Sequence, residues 1–138
     1  MNADLQFTNM MTTQDIQDIL IRSANDLITL ENPNYQYAAA RLLLWNVYKE
    51  VFGQFQPKHF TNVIIQNVKR GVYDKQILDN YTRTELKKLN TWIKHDRDLD
   101  FTYAGLRQVV DKYLVQDRST GQVYETPQFM YMMIAATL

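Results

Sequence analysis

The sequence predicts an all-α fold, mainly helical, with about seven helices and one β-hairpin near residues 113–125. Three observations carry that expectation. Apolar residues recur at spacings of three and four along most of the chain, which is the period of a helix face. The periodic segments end at recognisable breakers, Asn32-Pro33-Asn34, Gly53 and Gly71, where a helix cannot easily continue. Strand-like residues flank a glycine-bearing turn only once, from Tyr113-Leu114-Val115-Gln116-Asp117 through Arg118-Ser119-Thr120-Gly121 to Gln122-Val123-Tyr124-Glu125.

From Gln14 to Leu30, Ile16, Ile19, Leu20, Ala24, Leu27 and Ile28 share one helical face. Thr12 or Thr13 supplies the N-cap, and Asp15 sits where a negative charge favours the helix dipole. A second helix runs from Tyr35 to Phe52, apolar almost all round, and Gly53 suits a left-handed C-terminal cap. It should be the most buried element. Pro57 opens a third helix with Phe60, Val63, Ile64 and Val68 on its face, ending at Gly71, and a short fourth follows Asp74 with Ile77, Leu78 and Tyr81. Thr82-Arg83-Thr84-Glu85 has capping-box spacing, so a fifth helix should pass through Leu86, Leu89 and Ile93 toward His95. A sixth spans Phe101 to Lys112. After the hairpin, Thr126-Pro127 starts a last helix, apolar nearly all round and uncapped at Leu138. Such a surface has to be buried against something, so the chain reads as one piece of a larger body.

Length and composition narrow the function classes. A chain of 138 residues with 15 Lys and Arg against 15 Asp and Glu fits one domain without a strongly charged field. Nucleic-acid binding is disfavoured, because phosphate contacts need clustered, uncompensated cations. The chain has no cysteine, which removes disulfides, Cys-ligated metals and any thiol or thiyl chemistry carried by these residues alone. No basic-then-apolar leader opens it, so a cytoplasmic location is expected. The longest apolar run, Phe129 to Ala136, falls short of the ~17–25 residues of a membrane span.

Motifs for chemistry are sparse. His95-Asp96-Arg97-Asp98 gathers an imidazole, two carboxylates and a guanidinium, but neighbouring side chains point different ways around a helix end, which favours local ion pairing over a metal or acid-base site. His59 stands alone beside Pro57-Lys58 as a surface or first-turn residue. The nine Tyr mostly hold helix-face positions and read as core packing. The phosphate, zinc and nucleophile-elbow motifs GxGxxG, GxxxxGK[ST], HExxH and GxSxG are absent from the sequence.

Several longer stretches are more specific in combination. Asn34-Tyr35-Gln36-Tyr37-Ala38-Ala39-Ala40-Arg41-Leu42, Val51-Phe52-Gly53-Gln54-Phe55, Gly71-Val72-Tyr73-Asp74, Ile93 to Asp98, and Lys112-Tyr113-Leu114-Val115 on through Thr120 to Phe129 closely resemble the N-terminal part of the large subunit of class I ribonucleotide reductase, in its bacterial and phage class Ia branch. The resemblance covers nearly the whole chain, in order. It implies that residues 1–53 are a remnant of the ATP-cone, an allosteric nucleotide-binding domain, and that 54–138 are the helical N-terminal domain preceding the catalytic ten-stranded barrel, the two forming one compact unit. Residues 2–9 would match only the tail of the cone's second helix.

The family reduces ribonucleoside diphosphates to deoxyribonucleoside diphosphates. By resemblance, a cysteine thiyl radical generated through the small subunit abstracts the ribose 3′-hydrogen, and a cysteine pair supplies electrons; none of those cysteines is here, so this piece should be inactive alone. No cofactor is expected in the chain. ATP and dATP are the family's allosteric effectors, and the radical cofactor resides on the small subunit. Thr13 matches a nucleotide-contacting threonine and Lys49 a phosphate-neighbouring lysine, whereas Gln17 and Asn46 stand where the family has histidines. With that departure the resemblance implies a weak remnant of the nucleotide site, since phosphate sites rely on several converging donors. Thr13 also makes sense as a helix cap and Lys49 as a solvated helix end. Expected partners are the remainder of the large subunit, docking on Phe129, Met130, Met133 and Ile134, the radical-generating small subunit, and a second large subunit in a dimer; neither nucleic acid nor membrane is expected. The competing readings are a free-standing helical nucleotide sensor, whose relatives among ATP-cone repressors carry a cysteine zinc ribbon and basic face absent here, and a helical interaction module.

Overall fold

Local signals place the helices, and contacts remote in sequence trim them. The structure, a computed structural model, describes residues 12–138; the expectation for residues 2–9 lies outside that range. Helix α1 (Thr13–Asp26) starts on a capping box in which Thr12, not Thr13, is the N-cap and Asp15 returns the bond. It stops short of the predicted Leu30. The last turn carries Asn25 and Asp26, weak helix formers, and the Thr29 hydroxyl then accepts the Asn32 N–H at 3.0 Å, turning the chain toward Pro33. The buried face of α1 is Ile19, Ile21, Ser23 and Ala24, while Ile16 is exposed.

Helix α2 (Tyr35–Phe52) is the centre of the fold. It ends at Gly53, whose φ of 70° is the left-handed cap read from the sequence, with the Gly53 N–H donating to the Lys49 carbonyl. Ala39 and Ala40 are both buried, and α1 packs against this helix. Leu43, Leu44, Val47, Tyr48 and Phe52 face the rest of the core. Burial is not all round: Trp45 is 49% exposed, and Tyr37 is exposed with it. Both lie at helical spacing with Arg41, on the side that no other described element covers.

Helix α3 (Phe60–Lys69) begins later than Pro57 because His59 is its N-cap, accepting the Thr61 N–H on Nδ1. Its first turn is also tied from outside, the Phe60 N–H donating to Asn90 Oδ1 at 2.9 Å. Helix α4 (Gln76–Asn80) and α5 (Arg83–Trp92) follow, the latter on the predicted Thr82–Glu85 capping box. Helix α5 ends before His95, and residues His95–Asp100 form a 3-10 turn that packs on α2.

The predicted sixth helix is divided. Helix α6 (Tyr103–Gln108) passes into a wider π turn over Val109–Tyr113, closed by the Leu114 N–H on the Val109 carbonyl. The extra residue per turn lets Leu106, Val109, Val110 and Leu114 all be buried, although adjacent β-branched residues crowd a regular helical turn.

The β-hairpin expected at residues 113–125 does not form. The chain does reverse around Gly121, and one antiparallel bridge, Gln116 with Val123, is made. Side chains take the groups that would extend it. On the outer side the Val115 N–H goes to Glu125 Oε1 and the Tyr124 carbonyl to Asn67 Nδ2, so Val115 and Tyr124 lack their second ladder bond. On the inner side the Gln122 N–H goes to the Thr120 hydroxyl. The Val123 N–H is held by Glu50 of α2 at 2.8 Å.

Helix α7 (Pro127–Thr137) carries Pro127 at its start, as read, but Thr126 makes no side-chain cap bond. Phe129 is fully buried, its ring 5.6 Å from Phe52, 5.2 Å from Phe60 and 4.9 Å from His95. The Tyr81 hydroxyl donates to the Ala136 carbonyl at 2.7 Å, tying the last turn of α7 to the end of α4. One buried cluster runs from Ile21 to Met130.

Candidate functional site

Two regions hold the residues singled out by sequence. Helices α1 and α2 pack side by side and are joined by a short connection, so they run antiparallel. At 1.5 Å rise per residue, this brings the first turns of α1 level with the last turns of α2. Thr13 and Gln17, one turn apart on α1, therefore occupy the same end of the hairpin as Asn46 and Lys49 on α2. Thr13 and Lys49 are exposed, Gln17 and Asn46 half-buried. Among the described residues, the side-chain hydrogen bonds at this end are the Thr12–Asp15 capping box and the Gln14–Asp18 pair. Lys49 is the one cation in the last turn of α2, where its charge suits the helix dipole.

The second region is α7. The four residues read as a docking face divide in two. Phe129 and Met130 are buried inside this chain's own core, whereas Met133 is half-buried and Ile134 is 47% exposed. Met130, Met133 and Ile134 line a groove of about 530 Å³ together with Tyr113, Tyr131 and Glu125. Its walls come from the π turn, the irregular segment after it and one side of α7.

Sequence reading missed the polar floor of this groove. Glu125 is buried, and its carboxylate accepts the Tyr73 hydroxyl on Oε2 and the Val115 N–H on Oε1. Burial raises its pKa, and the bonds from Tyr73 and Val115 draw it back. Burial and the neighbouring carboxylate raise the Tyr73 pKa, so the phenol stays protonated and donates. The available signal was an acid set between Val123 and the buried Thr126-Pro127 pair, where a solvated residue is unexpected.

The His95–Asp98 cluster splays as the 3-10 turn dictates. Asp96 and Arg97 face solvent, while Asp98 is 1% exposed and His95 half-buried. The Tyr48 hydroxyl donates to Asp98 Oδ2 at 2.5 Å. Burial pushes the Asp98 carboxyl up to about 6, against the opposing approach of the Tyr48 hydroxyl and the Gln128 amides. His95 is held below the usual imidazole range by burial, with Asp96 acting the other way. Its Nδ1 and Asp98 Oδ1 are buried without hydrogen-bond partners. Among the described residues no group of three or more His, Asp and Glu side chains could hold a metal ion, and no helix is long and apolar enough to cross a membrane. Asp98 and Glu125 thus bind tyrosines and the fold to one another, and neither is arranged with a nucleophile or a second acid.

Comparison with known proteins gives this arrangement a context. Residues 99–138 match the family described as the ribonucleotide reductase all-alpha domain. Over all 138 residues the chain is 42% identical to ribonucleoside-diphosphate reductase 1 subunit alpha of Escherichia coli (strain K12), covering 100% of this chain and 18% of that protein. It is 48% identical over 128 residues to the ribonucleoside-diphosphate reductase subunit alpha of Enterobacteria phage T4, covering 93% of this chain and 17% of that one. A more distant relative, the subunit alpha of Helicobacter pylori (strain ATCC 700392 / 26695), is 34% identical over 137 residues. The chain spans less than a fifth of the length of these curated relatives.

Proposed function

We infer the role of this chain from the premise that it is a segment of the large (alpha) subunit family of class I ribonucleotide reductases, to which its whole length is similar. The segment carries a helical, non-catalytic part of an enzyme that reduces ribonucleoside diphosphates to deoxyribonucleoside diphosphates. The similarity over 100% of the chain to an alpha subunit carries this reading. With no cysteine, the segment supplies neither the thiyl radical nor the reducing pair that its resemblance implies for the whole enzyme. Its contribution is to support the catalytic barrel and, through the assembled subunit, the dimer and its radical-generating small subunit.

The face that meets the rest of the subunit is the α7 groove, with Ile134 exposed and Met133 half-buried on its rim and Phe129 and Met130 beneath them as support. Replacing Ile134 by aspartate puts a charge into that contact, which a dry interface tolerates poorly. The expected result in a binding titration against the polypeptide that supplies the rest of the subunit is at least tenfold weaker association, with the far-ultraviolet circular dichroism of the variant unchanged. Association at wild-type strength would overturn the docking assignment.

A second reading is favoured by the placement of Thr13, Gln17, Asn46 and Lys49 at one end of the α1–α2 hairpin: this end is the remnant of an effector site for ATP or dATP, within a cone remnant spanning residues 1–53. One lysine and three neutral side chains make a weak phosphate site, so a dATP titration of the isolated chain should show at most millimolar binding. Micromolar binding that is lost in Lys49→Ala would instead make a free-standing nucleotide sensor the better account.

A further inference from the structure

An apolar groove with a buried carboxylate on its floor is incomplete as it stands. Both oxygens of Glu125 accept hydrogen bonds, from a tyrosine hydroxyl and a backbone N–H, and each retains a free lone pair. Among the described residues the ion pair is Arg107 with Asp111, elsewhere on the surface; Glu125 has no cationic partner. The walls of the groove include Tyr113 and Tyr131, which are 60% and 46% exposed. Exposed aromatic faces attract cations, and guanidinium stacks on them better than a compact, strongly hydrated ammonium does.

We propose that the α7 groove receives an arginine side chain from the polypeptide that docks there, its guanidinium on the Glu125 carboxylate and its methylenes between Tyr113, Tyr131 and Ile134. The inference rests on the docking reading above and adds the chemistry of the occupant. Charge complementarity selects it: an apolar side chain would leave the buried carboxylate uncompensated under a closed interface, a costly arrangement. An acidic one would meet like charge.

The test uses the whole chain and two small probes of equal shape, butylguanidinium and the uncharged butylurea, titrated while the Val115 amide and the Ile134 methyl resonances are followed. Val115 donates to Glu125 at 2.9 Å, so its amide reports directly on the carboxylate. The guanidinium is expected to bind at least tenfold more tightly than the urea, shifting both signals, and the preference should vanish in Glu125→Gln. Tyr73→Phe keeps the carboxylate, should retain the preference, and serves if Glu125→Gln folds poorly. Equal binding of the two probes, a preference that survives Glu125→Gln, or guanidinium binding that leaves Val115 unmoved would each overturn the proposal. Because the Ile134→Asp association experiment leaves Glu125 intact and the probe experiment leaves Ile134 intact, equal probe binding alongside lost association removes the arginine and leaves the docking face standing.

Discussion

Replacing Phe129 by alanine is expected to destabilise the chain by about 3–5 kcal/mol, the range for removing a buried aromatic ring. Phe129 has no exposed surface, and its ring sits among Phe52, Phe60 and His95 at centroid distances of 4.9 to 5.6 Å. Those neighbours belong to α2, α3 and the 3-10 turn, so no single helix can move in to fill the void without disturbing two others. A domain of this size is stable by about 5–15 kcal/mol, so the variant should lose a large share of its total stability and unfold at a clearly lower urea concentration. Urea unfolding followed by circular dichroism measures this directly. A loss below about 1 kcal/mol would mean that the ring cluster collapses around the gap, at odds with the packing described.

The second large effect is a pH dependence centred on Asp98. Its carboxyl is raised from 3.8 to about 6 by burial, a gap equivalent to about 3 kcal/mol at 1.36 kcal/mol per unit. For an acid whose folded pKa lies above its unfolded value, the stabilisation is complete below the unfolded pKa and is lost as pH rises through the folded one. Asp98 therefore favours the fold near pH 4 and opposes it above pH 6. Glu125, also raised, acts in the same direction. His95, depressed by burial, acts the other way, since its contribution is present above the unfolded imidazole value and lost as pH falls. Asp98→Asn isolates the carboxylate from these neighbours. Between pH 4 and pH 7.5 the stability of the variant relative to wild type should rise by about 2.4 kcal/mol, measured from paired urea curves. A difference that stays constant across that range would show that Asp98 titrates normally in the folded chain.

How legible the structure is from sequence depends on where each group finds its partner. The Thr82–Glu85 capping box, the left-handed Gly53 and Pro127 at the start of α7 are satisfied within a few residues, and all three appear as read. The hairpin failed for the opposite reason. Its residues have strand propensity, but the Val115 N–H and the Tyr124 carbonyl, which would pair next in the ladder, go instead to the side chains of Glu125 and Asn67. Asn67 belongs to α3, which no local pattern around Gly121 announces. The division of the predicted Phe101–Lys112 helix has the same origin, since a buried Val109-Val110 pair must be matched to a core built by other helices.

The candidate site divides along the same line. In α7 the run Phe129 to Ala136 is apolar on every side, so periodicity cannot say which face points inward. Packing decided that: Phe129 and Met130 go into the core, while Ile134 and Tyr131 remain on the surface. In α2, Tyr37 and Trp45 read as core and lie exposed, because α1 and the 3-10 turn cover other sides of the helix. By itself the sequence determined the helical class, most helix starts, the lack of cysteine among these residues and the likeness to one enzyme family, all properties of composition, short-range hydrogen bonding or long patterns of residues. The tertiary structure alone decided which apolar side chains stay exposed, that Asp98 and Glu125 are buried against tyrosines, and that a groove forms above Glu125. Burial and its effect on a charge depend on what surrounds a residue in space, and those surroundings come from segments distant along the chain.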